Sequence, residues 1–395
     1  MVIARKTVLC LGFAQLVSWG TSYYLIGGFG KLIAADLHWT NEIVYGGFSA
    51  ALLVMGLISP LAGRLIDHHG GQRVMIAGSM FNAIGCWVIA ISRDAPAYYA
   101  AWICLGVGMR LSLYDAAFAT LARIGGPEAR RPMSQITLLG GLASTVFWPL
   151  GHLLANLFGW RSALLAYAGL ALLTIPLFMT VPNDRYGELP LREKDNGVRP
   201  IALSRQEVIL AGSLFALIAT LTNFLNAGMS AHMVDILTGL GLAASAAVWI
   251  SALRGIGQVS SRVCEILFGR KVDSLTLNLL GCAVLPLCFL VGLFSGQTEI
   301  AALVFAFFYG TGNGVVTITR GTVPLALFEH QRYGAFVGRL IAPSFVMSAA
   351  SPVIYAFIIG RFGETGALDL SICVGSVTLA AAVLLKTRFM QPSEC

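Results

Sequence analysis

The sequence predicts an all-α membrane protein with twelve transmembrane helices arranged as two pseudo-symmetric bundles of six. Hydrophobic residues make up 57% of the 395-residue chain and charged residues only 11%, with a mean hydropathy of +0.78. A soluble protein has about a quarter of its residues charged. The apolar residues are grouped in stretches of about 20, which is the length that crosses a bilayer. The basic residues are unevenly divided between alternate connections, as in multi-pass membrane proteins.

Polar breaks divide the chain into apolar stretches, and each stretch is assigned as one span. In the first half these are 7–28, 43–62, 74–91, 97–121, 134–157 and 162–181. In the second half they are 207–230, 243–262, 275–294, 299–319, 334–358 and 367–385. The first stretch has polar and aromatic residues and no small-residue cleavage site, so we expect a retained helix and not a signal peptide.

The connections between spans predict the orientation of the chain. With the N-terminus placed in the cytoplasm, the outer connections hold only the basic residues Lys31, Arg93, Arg161 and Arg361, whereas the inner connections hold nineteen basic residues. This bias predicts that both termini are cytoplasmic. The short outer connections favour a bacterial inner membrane. Because the net charge of +7 is distributed between apolar segments, we expect the lipid bilayer and no nucleic acid as a partner.

A charged, proline-containing connection separates the two sets of six spans. We therefore expect an N-terminal bundle at 1–182, a cytoplasmic central loop at 183–206 and a C-terminal bundle at 207–395. The loops after spans two and eight support a duplication, because residues 63–74 align with 261–272 without a gap. Arginine, acid, glycine and base recur at an offset of 198 residues. Gly106 and Gly108 of span four have counterparts in Gly310 and Gly312 of span ten.

With these features the chain resembles the major facilitator superfamily over essentially its whole length. The family pattern after span two is glycine, any residue, leucine, any residue, aspartate, base, any residue and glycine, followed by basic residues. The sequence supplies Gly63, Leu65, Asp67 and Gly70, with Arg73 as a base, and departs from the pattern at His68, Gly71 and Gln72. The resemblance implies two bundles that rock about a midplane cavity to give alternating access.

The loop after span two is interpreted as part of a cytoplasmic gate. A carboxylate there can meet helix N-termini or arginines of the other bundle in one state only. Asp115, near the inner end of span four, is interpreted as a partner in this gate, with a proton-carrying role as the alternative. The predicted gating residues are Gly63, Asp67, Gly70, Arg73, Asp115, Arg262 and Glu265.

Two arginines are predicted near the middle of the membrane, Arg110 in span four and Arg254 in span eight. An ionisable group at that depth is costly and tends to face a cavity. Two positive charges at one cavity favour an anionic substrate. The alternative is that Arg110 pairs with Asp115 or a carbonyl group. A spacing of five residues on a continuous helix would place that pair about 140° apart, which is unfavourable.

Polar and aromatic residues on the faces of spans one, four, seven, eight and ten complete the predicted site. Interhelical hydrogen bonding is the structural alternative for each of them. The aromatic rings would pack on a planar or apolar body while the arginines bind its charged end. The predicted substrate-binding residues are Arg110, Arg254, Gln15, Trp19, Tyr23, Tyr114, Asn223, Asn226, Gln258, Tyr309 and Asn313.

The arginine in span eight resembles that of the oxalate/formate exchanger and monocarboxylate transporter branch, where the corresponding arginine binds carboxylate. Span eleven has no lysine to match the oxalate exchanger, so oxalate itself is not expected. The sequence thus predicts a secondary active transporter of a small organic anion or carboxylate. Uptake of a planar heterocycle such as a vitamin and efflux of a lipophilic drug-like compound are the alternatives.

The sequence does not predict an enzyme. No nucleophile with a supporting base and no metal-ligand spacing is present, and the cysteines are scattered through apolar stretches. We expect no cofactor, no metal and a monomer that binds a small-molecule substrate. The coupling ion remains open between a proton carried by the protein, a proton carried by the substrate, and uniport or exchange.

Overall fold

The computed structural model describes residues 3–125, 130–182, 204–268, 272–328 and 333–389, and regular secondary structure within these ranges is helical throughout. The side chain of Asp67 and most of the predicted central loop lie outside the described part. The helices run between two ends of the molecule. Following the charge distribution, we call the inner end the one where the first helix begins and the last helix ends, and the opposite one the outer end.

Within the described ranges, the first half of the chain forms nine α-helices and one π-helical turn. In chain order these are α1 Arg5–Ser18, the π-helical turn Trp19–Tyr23, α2 Leu25–Leu37, α3 Asn41–Leu57, α4 Ser59–His69, α5 Gly71–Ile91, α6 Ala95–Ser112, α7 Tyr114–Gly125, α8 Arg130–Gly141 and α9 Ala143–Phe178. The second half forms longer helices, which are α10 Arg205–Gly239, α11 Ala244–Phe268, α12 Ser274–Gly292, α13 Glu299–Leu327 and α14 Tyr333–Phe389.

Two of these helices are hairpins that double back at a glycine. Gly159 in α9 has a φ of 78° and Gly363 in α14 has a φ of 71°, values that favour glycine because it lacks a Cβ. The Tyr167 hydroxyl donates to the Phe147 carbonyl oxygen at 2.6 Å. Residues 20 apart in a straight helix would be separated by about 30 Å, so the chain must reverse at Gly159.

Helix length and apolarity agree with membrane crossing. The described segments long and apolar enough to cross a bilayer are Gly71–Ile91, Gln135–Phe178, Arg205–Gly239, Ser274–Gly292, Glu299–Pro324 and Pro343–Phe389, and the pair Asn41–Leu57 and Ser59–Ile66, bent by 51°, adds a seventh. The two hairpin segments are 44 and 47 residues long, about twice the length of one span. Helices separated only by a short break count as one pass, and each hairpin counts as two. Counted in this way, the described helices make the predicted twelve passes, six in each half.

Local capping residues fix where several helices begin. Asp94 accepts a hydrogen bond from the Ala97 amide at 2.8 Å, and Asp273 accepts one from the Thr276 amide at 2.8 Å. Ser204 and Glu207 form a reciprocal capping box at the start of α10. These side chains satisfy amide groups that have no partner within the helix. The first helix of the second half therefore begins at Arg205, two residues before the predicted span.

The glycines of span four pack closely against neighbouring helices of their own half. A methyl group added at Gly106 would meet the Ala51 carbonyl oxygen of α3, and one added at Gly108 would meet Asn82 of α5. Small residues allow such close helix approach in membranes. Span four is thus packed against spans two and three.

The glycines of span ten make the corresponding contacts in the second half. A methyl group at Gly310 would meet the backbone of Arg254 in α11, and one at Gly312 would lie 3.2 Å from the Gly281 carbonyl oxygen in α12. Span ten is thus packed against spans eight and nine, which is the same arrangement moved by six spans. The repeat predicted from sequence is therefore present in the helix packing.

Candidate substrate cavity

A cavity of about 340 Å³ lies between the two halves, which is within the usual size of a small-molecule site. Its walls come from helices of both halves, in their middle and inner parts. The lining residues are Trp19, Tyr23, Tyr24, Leu52, Met55, Leu113, Tyr114, Asp115, Phe118, Gly140, Thr222, Asn223, Asn226, Gln258, Arg262, Asn313, Val316, Thr317, Arg320, Phe345 and Ser348.

The π-helical turn in span one builds the aromatic wall of this cavity. The Tyr24 amide donates to the Trp19 carbonyl oxygen at 3.1 Å, so Tyr24 closes a turn of five residues in place of the usual four. π-Helical turns are frequent at functional sites. The turn lets Tyr24 join Trp19 and Tyr23 in the wall, whereas a regular helix would place Tyr24 on another face. This is why the regular helical spacing of the sequence predicted Tyr23 and missed Tyr24.

The rings of this wall contact one another across helices. The ring centroids of Trp19 and Tyr23 are 4.9 Å apart, and those of Trp19 and Tyr114 are 5.0 Å apart. Tyr114 stacks on Phe118 with 7° between the ring planes. Such contacts hold the rings in defined positions. One side of the cavity is therefore a rigid aromatic surface made by spans one and four.

Arg254 lies fully buried beside the cavity, with its guanidinium 5.5 Å from the Tyr24 ring centroid. Its Nη1 donates to the Ser230 hydroxyl at 3.0 Å and its Nη2 to the Asn226 side-chain oxygen at 2.5 Å, while Nε has no partner. The guanidinium also lies 5.0 Å from the Tyr309 ring centroid. None of the ion pairs within the described ranges involves Arg254. A buried guanidinium with only neutral partners is incompletely compensated, because burial of a charge is costly.

Asn226 connects Arg254 with the cavity. This asparagine lines the cavity, and its side-chain oxygen also accepts a hydrogen bond from the Asn313 side-chain amide at 3.0 Å. Its own Nδ2 donates to the Tyr23 hydroxyl at 3.1 Å. A single amide therefore joins Arg254 and Asn313 to the aromatic wall of the first half.

Two further arginines line the cavity, although the sequence assigned both to inner connections. Arg320 donates to the Asn223 side-chain oxygen at 3.0 Å, and the buried Arg262 donates to the Thr137 carbonyl oxygen. The hydropathy reading ended spans eight and ten where the charges begin. The helices continue to Phe268 and Leu327 because each guanidinium finds a hydrogen-bond acceptor on another helix, Arg262 in the first half and Arg320 within the second half.

Arg110 and Asp115 form an ion pair, contrary to the expectation from a continuous helix. Helix α6 ends at Ser112 and α7 begins at Tyr114, with Leu113 in an extended conformation. This break reorients the two side chains, so the calculated separation of 140° does not apply. Asp115 lines the cavity, and Arg110 lies behind it. The positive charge of Arg110 is thus neutralised by Asp115.

The predicted substrate-binding residues fall into two groups. Those that line the cavity are Trp19, Tyr23, Tyr114, Asn223, Asn226, Gln258 and Asn313, and those that do not are Arg110, Arg254, Gln15 and Tyr309. Gln15 donates to the Ser112 carbonyl oxygen at 2.8 Å, and the Tyr309 hydroxyl donates to the Leu225 carbonyl oxygen at 3.2 Å. These last two residues join helices, which is the structural alternative considered for them.

The predicted gating residues near the inner end are only partly brought together. Gly70 separates α4 from α5 with a φ of 82°, a conformation that favours glycine. Gly63 lies within α4 with open space beside it, Arg73 is exposed and Glu265 is half-buried. The contact that Asp67 was predicted to make lies outside the described side chains. The remaining two predicted gating residues, Arg262 and Asp115, both line the cavity.

The outer end of the interface is closed by a polar cluster that we call the outer latch, formed by Lys31, Tyr45, His232 and Asp235. Lys31 Nζ lies 3.3 Å from Asp235 Oδ1, and the Tyr45 hydroxyl donates to Asp235 Oδ2. These contacts join α2 and α3 of the first half to α10 of the second. Sequence reasoning assigned none of Asp235, Tyr45 and His232 to a site. The one available signal was Lys31, a rare base near the outer side.

The charges around the cavity are mainly positive. Arg262 and Arg320 line it, Asp115 is the acid that lines it, and Arg254 and Arg110 lie directly behind its walls. Asp115 is already paired with Arg110. Among the described residues the wall therefore has an excess of positive charge, and a concave site of one sign in a low-dielectric surrounding attracts ligands of the opposite sign.

Known proteins resemble all or part of this chain. The uncharacterized transporter YycB of Bacillus subtilis (strain 168) is 22% identical over 363 residues, which is 89% of this chain and 85% of that protein. The multidrug resistance protein MdtL of Vibrio parahaemolyticus is 26% identical, but the match covers only 49% of this chain and 48% of MdtL. The crystal structure of a D-xylose-proton symporter has the same fold, with a TM-score of 0.74, 14% identity and 98% coverage of both chains.

This sequence matches the family model of the Major Facilitator Superfamily over residues 11–352. The match extends into both halves and includes every residue that lines the cavity. It agrees with the twelve helical passes, the repeated packing of spans four and ten, and the central cavity. The chain is therefore an integral membrane transport protein, not an enzyme, and it belongs to the Major Facilitator Superfamily.

Proposed function

We propose that this protein is a secondary active transporter that moves a small organic anion, such as a carboxylate, by alternating access. The observation that carries the proposal is Arg254, a fully buried guanidinium that has no carboxylate partner among the described residues and contacts the cavity wall through Asn226. An anion in the cavity would supply the missing counter-charge. Guanidinium groups bind carboxylates through two parallel hydrogen bonds, which fix the ligand's orientation.

A second arginine supports the same ligand chemistry. Arg320 is bonded to Asn223 in the same way that Arg254 is bonded to Asn226. The two asparagines are three residues apart on α10 and therefore lie on one face of the helix. Each asparagine oxygen occupies a position that a carboxylate oxygen can take. The cavity thus offers two neighbouring points of attachment for a negatively charged ligand.

The aromatic wall favours a ligand with an apolar or planar body. Trp19, Tyr23, Tyr24 and Tyr114 present rings to the cavity, and aromatic rings bind flat apolar groups through their faces. The volume of about 340 Å³ fits a ligand of modest size. A small aromatic or aliphatic carboxylate satisfies the charge, the shape and the size together.

The transport cycle would exchange the outer-closed state described above for one closed at the inner end. We place the rocking units at 1–182 and 207–395, with 183–206 as the connection, and assign the inner gate to Gly63, Asp67, Gly70, Arg73, Asp115, Arg262 and Glu265. The lining of the cavity by middle and inner parts of helices supports an inward-facing state. We further propose that the protein acts as a monomer in a bacterial inner membrane, with cytoplasmic termini and a coupled proton.

Efflux of a lipophilic compound is the second candidate. It is supported by the similarity to proteins named for multidrug resistance, although that similarity covers less than half of their length. The aromatic wall suits such compounds as well. The buried Arg254 opposes this candidate, because a neutral or cationic compound would leave its charge uncompensated. Uptake of a neutral planar heterocycle meets the same objection.

A thermal-shift screen of the purified protein separates these candidates. Carboxylates, aromatic acids, vitamins and cationic drugs are the probes, and a ligand at 100 times its Kd stabilises by about 2.7 kcal/mol. We expect anions to raise Tm in the wild type and in the control Arg361→Ala, whose side chain is exposed, but not in Arg254→Ala. Stabilisation by neutral or cationic compounds alone, retained in Arg254→Ala, would contradict the proposal. Arg254→Lys keeps the positive charge and is the second variant, used in case Arg254→Ala does not fold.

A further inference from the structure

The outer latch contains a carboxylate and an imidazole that face each other. His232 and Asp235 are three residues apart on α10 and are both buried. His232 Nδ1 lies 3.9 Å from Asp235 Oδ2, and His232 Nε2 lies 2.8 Å from the Pro352 carbonyl oxygen. The His232 ring also contacts Tyr45 of the first half, with 3.9 Å between ring centroids. The pair is therefore enclosed between both halves when the outer end is closed.

Hydrogen-bond chemistry fixes the proton on the imidazole. A carbonyl oxygen only accepts hydrogen bonds, so the nitrogen facing Pro352, which is Nε2, must carry the hydrogen. In a neutral ring the other nitrogen, Nδ1, then carries a lone pair and no hydrogen. That lone pair faces the Asp235 carboxylate, which is also an acceptor. One additional proton, on either group, would turn two opposed acceptors into a donor and an acceptor.

The charges around the pair also favour the binding of one proton. Lys31 of α2 contributes one positive charge, and Asp235 and the half-buried Glu364 of α14, which acts on Asp235 electrostatically, contribute two negative charges. Tyr45 of α3 donates a hydrogen bond and remains neutral. The outer latch together with Glu364 therefore has one excess negative charge, and one bound proton would make this set of groups neutral. Neutrality matters most where the groups are withdrawn from water.

We propose that Asp235 and His232 bind one proton when the outer end closes, so that the outer latch is the protein's proton-coupling site. Opening would separate Lys31 and Tyr45 from α10 and expose the pair to water, where opposed acceptors are hydrated and the excess charge is screened. The closed state then binds one proton more than the open state, and acid favours closure. This inference rests on the alternating access proposed above, but not on the nature of the substrate.

Double electron-electron resonance on the full-length protein in nanodiscs tests this linkage. Spin-labelled non-canonical amino acids replace the exposed outer-loop residues Arg93 and Gln297, one in each half, so that the native cysteines remain. The measured quantity is the ratio of the short, outer-closed distance to the long one between about pH 5 and pH 8. Linkage to one proton changes this ratio by up to about tenfold per pH unit, with closure favoured by acid.

Two variants and one matched control identify the site. Asp235→Asn and His232→Gln each remove one partner of the pair, and in both we expect the pH dependence of the ratio to disappear. Asp36→Asn is the control, because it breaks another ion pair near the outer end that lies within one half. In this pair Asp36 Oδ2 is 3.1 Å from Arg161 Nη2. The control should keep the wild-type response to pH. Using both variants protects the test against poor folding of either.

The possible outcomes each decide the question. A wild-type ratio that does not respond to pH, or variants that respond like the wild type, would overturn the proton site. If the ratio responds to an anionic ligand but not to pH, alternating access stands and only the proton site fails. If it responds to pH through Asp235 while no anion stabilises the protein, the proton site stands and the proposed substrate class fails.

Discussion

Arg254 is linked to the central cavity through Asn226, whose side-chain oxygen accepts hydrogen bonds from both Arg254 Nη2 and Asn313. The arginine is fully buried and the asparagine lines the cavity. In the anion site that we propose, a ligand carboxylate would take the position of this amide oxygen beside the guanidinium. In a charge-assisted pair the carboxylate would bind more strongly than the amide.

Asn226→Asp should have opposite effects on stability and on ligand binding. The new carboxylate would pair with Arg254, so we expect a higher Tm of the ligand-free protein. The same carboxylate would remove the counter-charge that the ligand supplies, so anion affinity should fall by at least about tenfold, from the loss of one charged hydrogen bond of about 1.5–3 kcal/mol. Thermal shift measures both effects. Asn156→Asp, at an exposed position of α9, adds the same charge elsewhere and should change neither.

Arg320→Ala should weaken anion binding without abolishing folding. Arg320 is half-buried and bonded to one asparagine oxygen, so its loss removes one charge-assisted contact. We expect an increase in Kd of about 10-fold or more, measured by titration of the purified protein with the anions found in the screen. Arg388→Ala, exposed near the inner end of α14, is the matched control. Equal affinities in both variants would place the ligand away from Arg320.

Tyr45→Phe should weaken the outer-closed state while leaving its response to pH. The Tyr45 hydroxyl donates to the buried Asp235 carboxylate across the interface, and loss of a hydrogen bond to a charged group costs about 1.5–3 kcal/mol. The closed-to-open ratio should therefore fall by about 10- to 150-fold at every pH in the electron resonance experiment. Tyr99→Phe removes a bond of 3.0 Å to the Ile43 carbonyl within one half and should leave the ratio unchanged.

Gly310→Ala should destabilise the second half and displace Arg254. A methyl group at this position would meet the backbone of Arg254, and overpacking of this kind costs about 1–3 kcal/mol. Gly360→Ala, a helical position of α14 with nothing within 4 Å, should be neutral or slightly stabilising. Thermal unfolding compares the two. A smaller loss of Tm in Gly310→Ala than in Gly360→Ala would show that α11 and α13 do not pack as described.

The helical passes and the repeat could be predicted because their causes are local. Apolar stretches need only the bilayer to become helices, and the capping box at Ser204 needs only its own first turn. The glycine pairs of spans four and ten indicated the repeat in the sequence, and they make corresponding packing contacts in the two halves. Arg320 was assigned to a connection because its position in the helix depends on a distant contact. A charged residue ends an apolar stretch in the sequence, but a hydrogen bond to Asn223 on another helix allows α13 to continue past Arg320.

The sequence by itself determined the class of the protein, its twelve helical passes and the residue types from which a cavity could be made, because these depend on composition and on spacing along one helix. Only the tertiary structure decided which side chains meet. The break at Leu113 let Arg110 pair with Asp115, the π-helical turn brought Tyr24 to the cavity, and the outer latch joined Lys31 to Asp235, 204 positions further along the chain. These contacts depend on helix breaks and on the docking of two halves, neither of which periodicity along a single helix can specify.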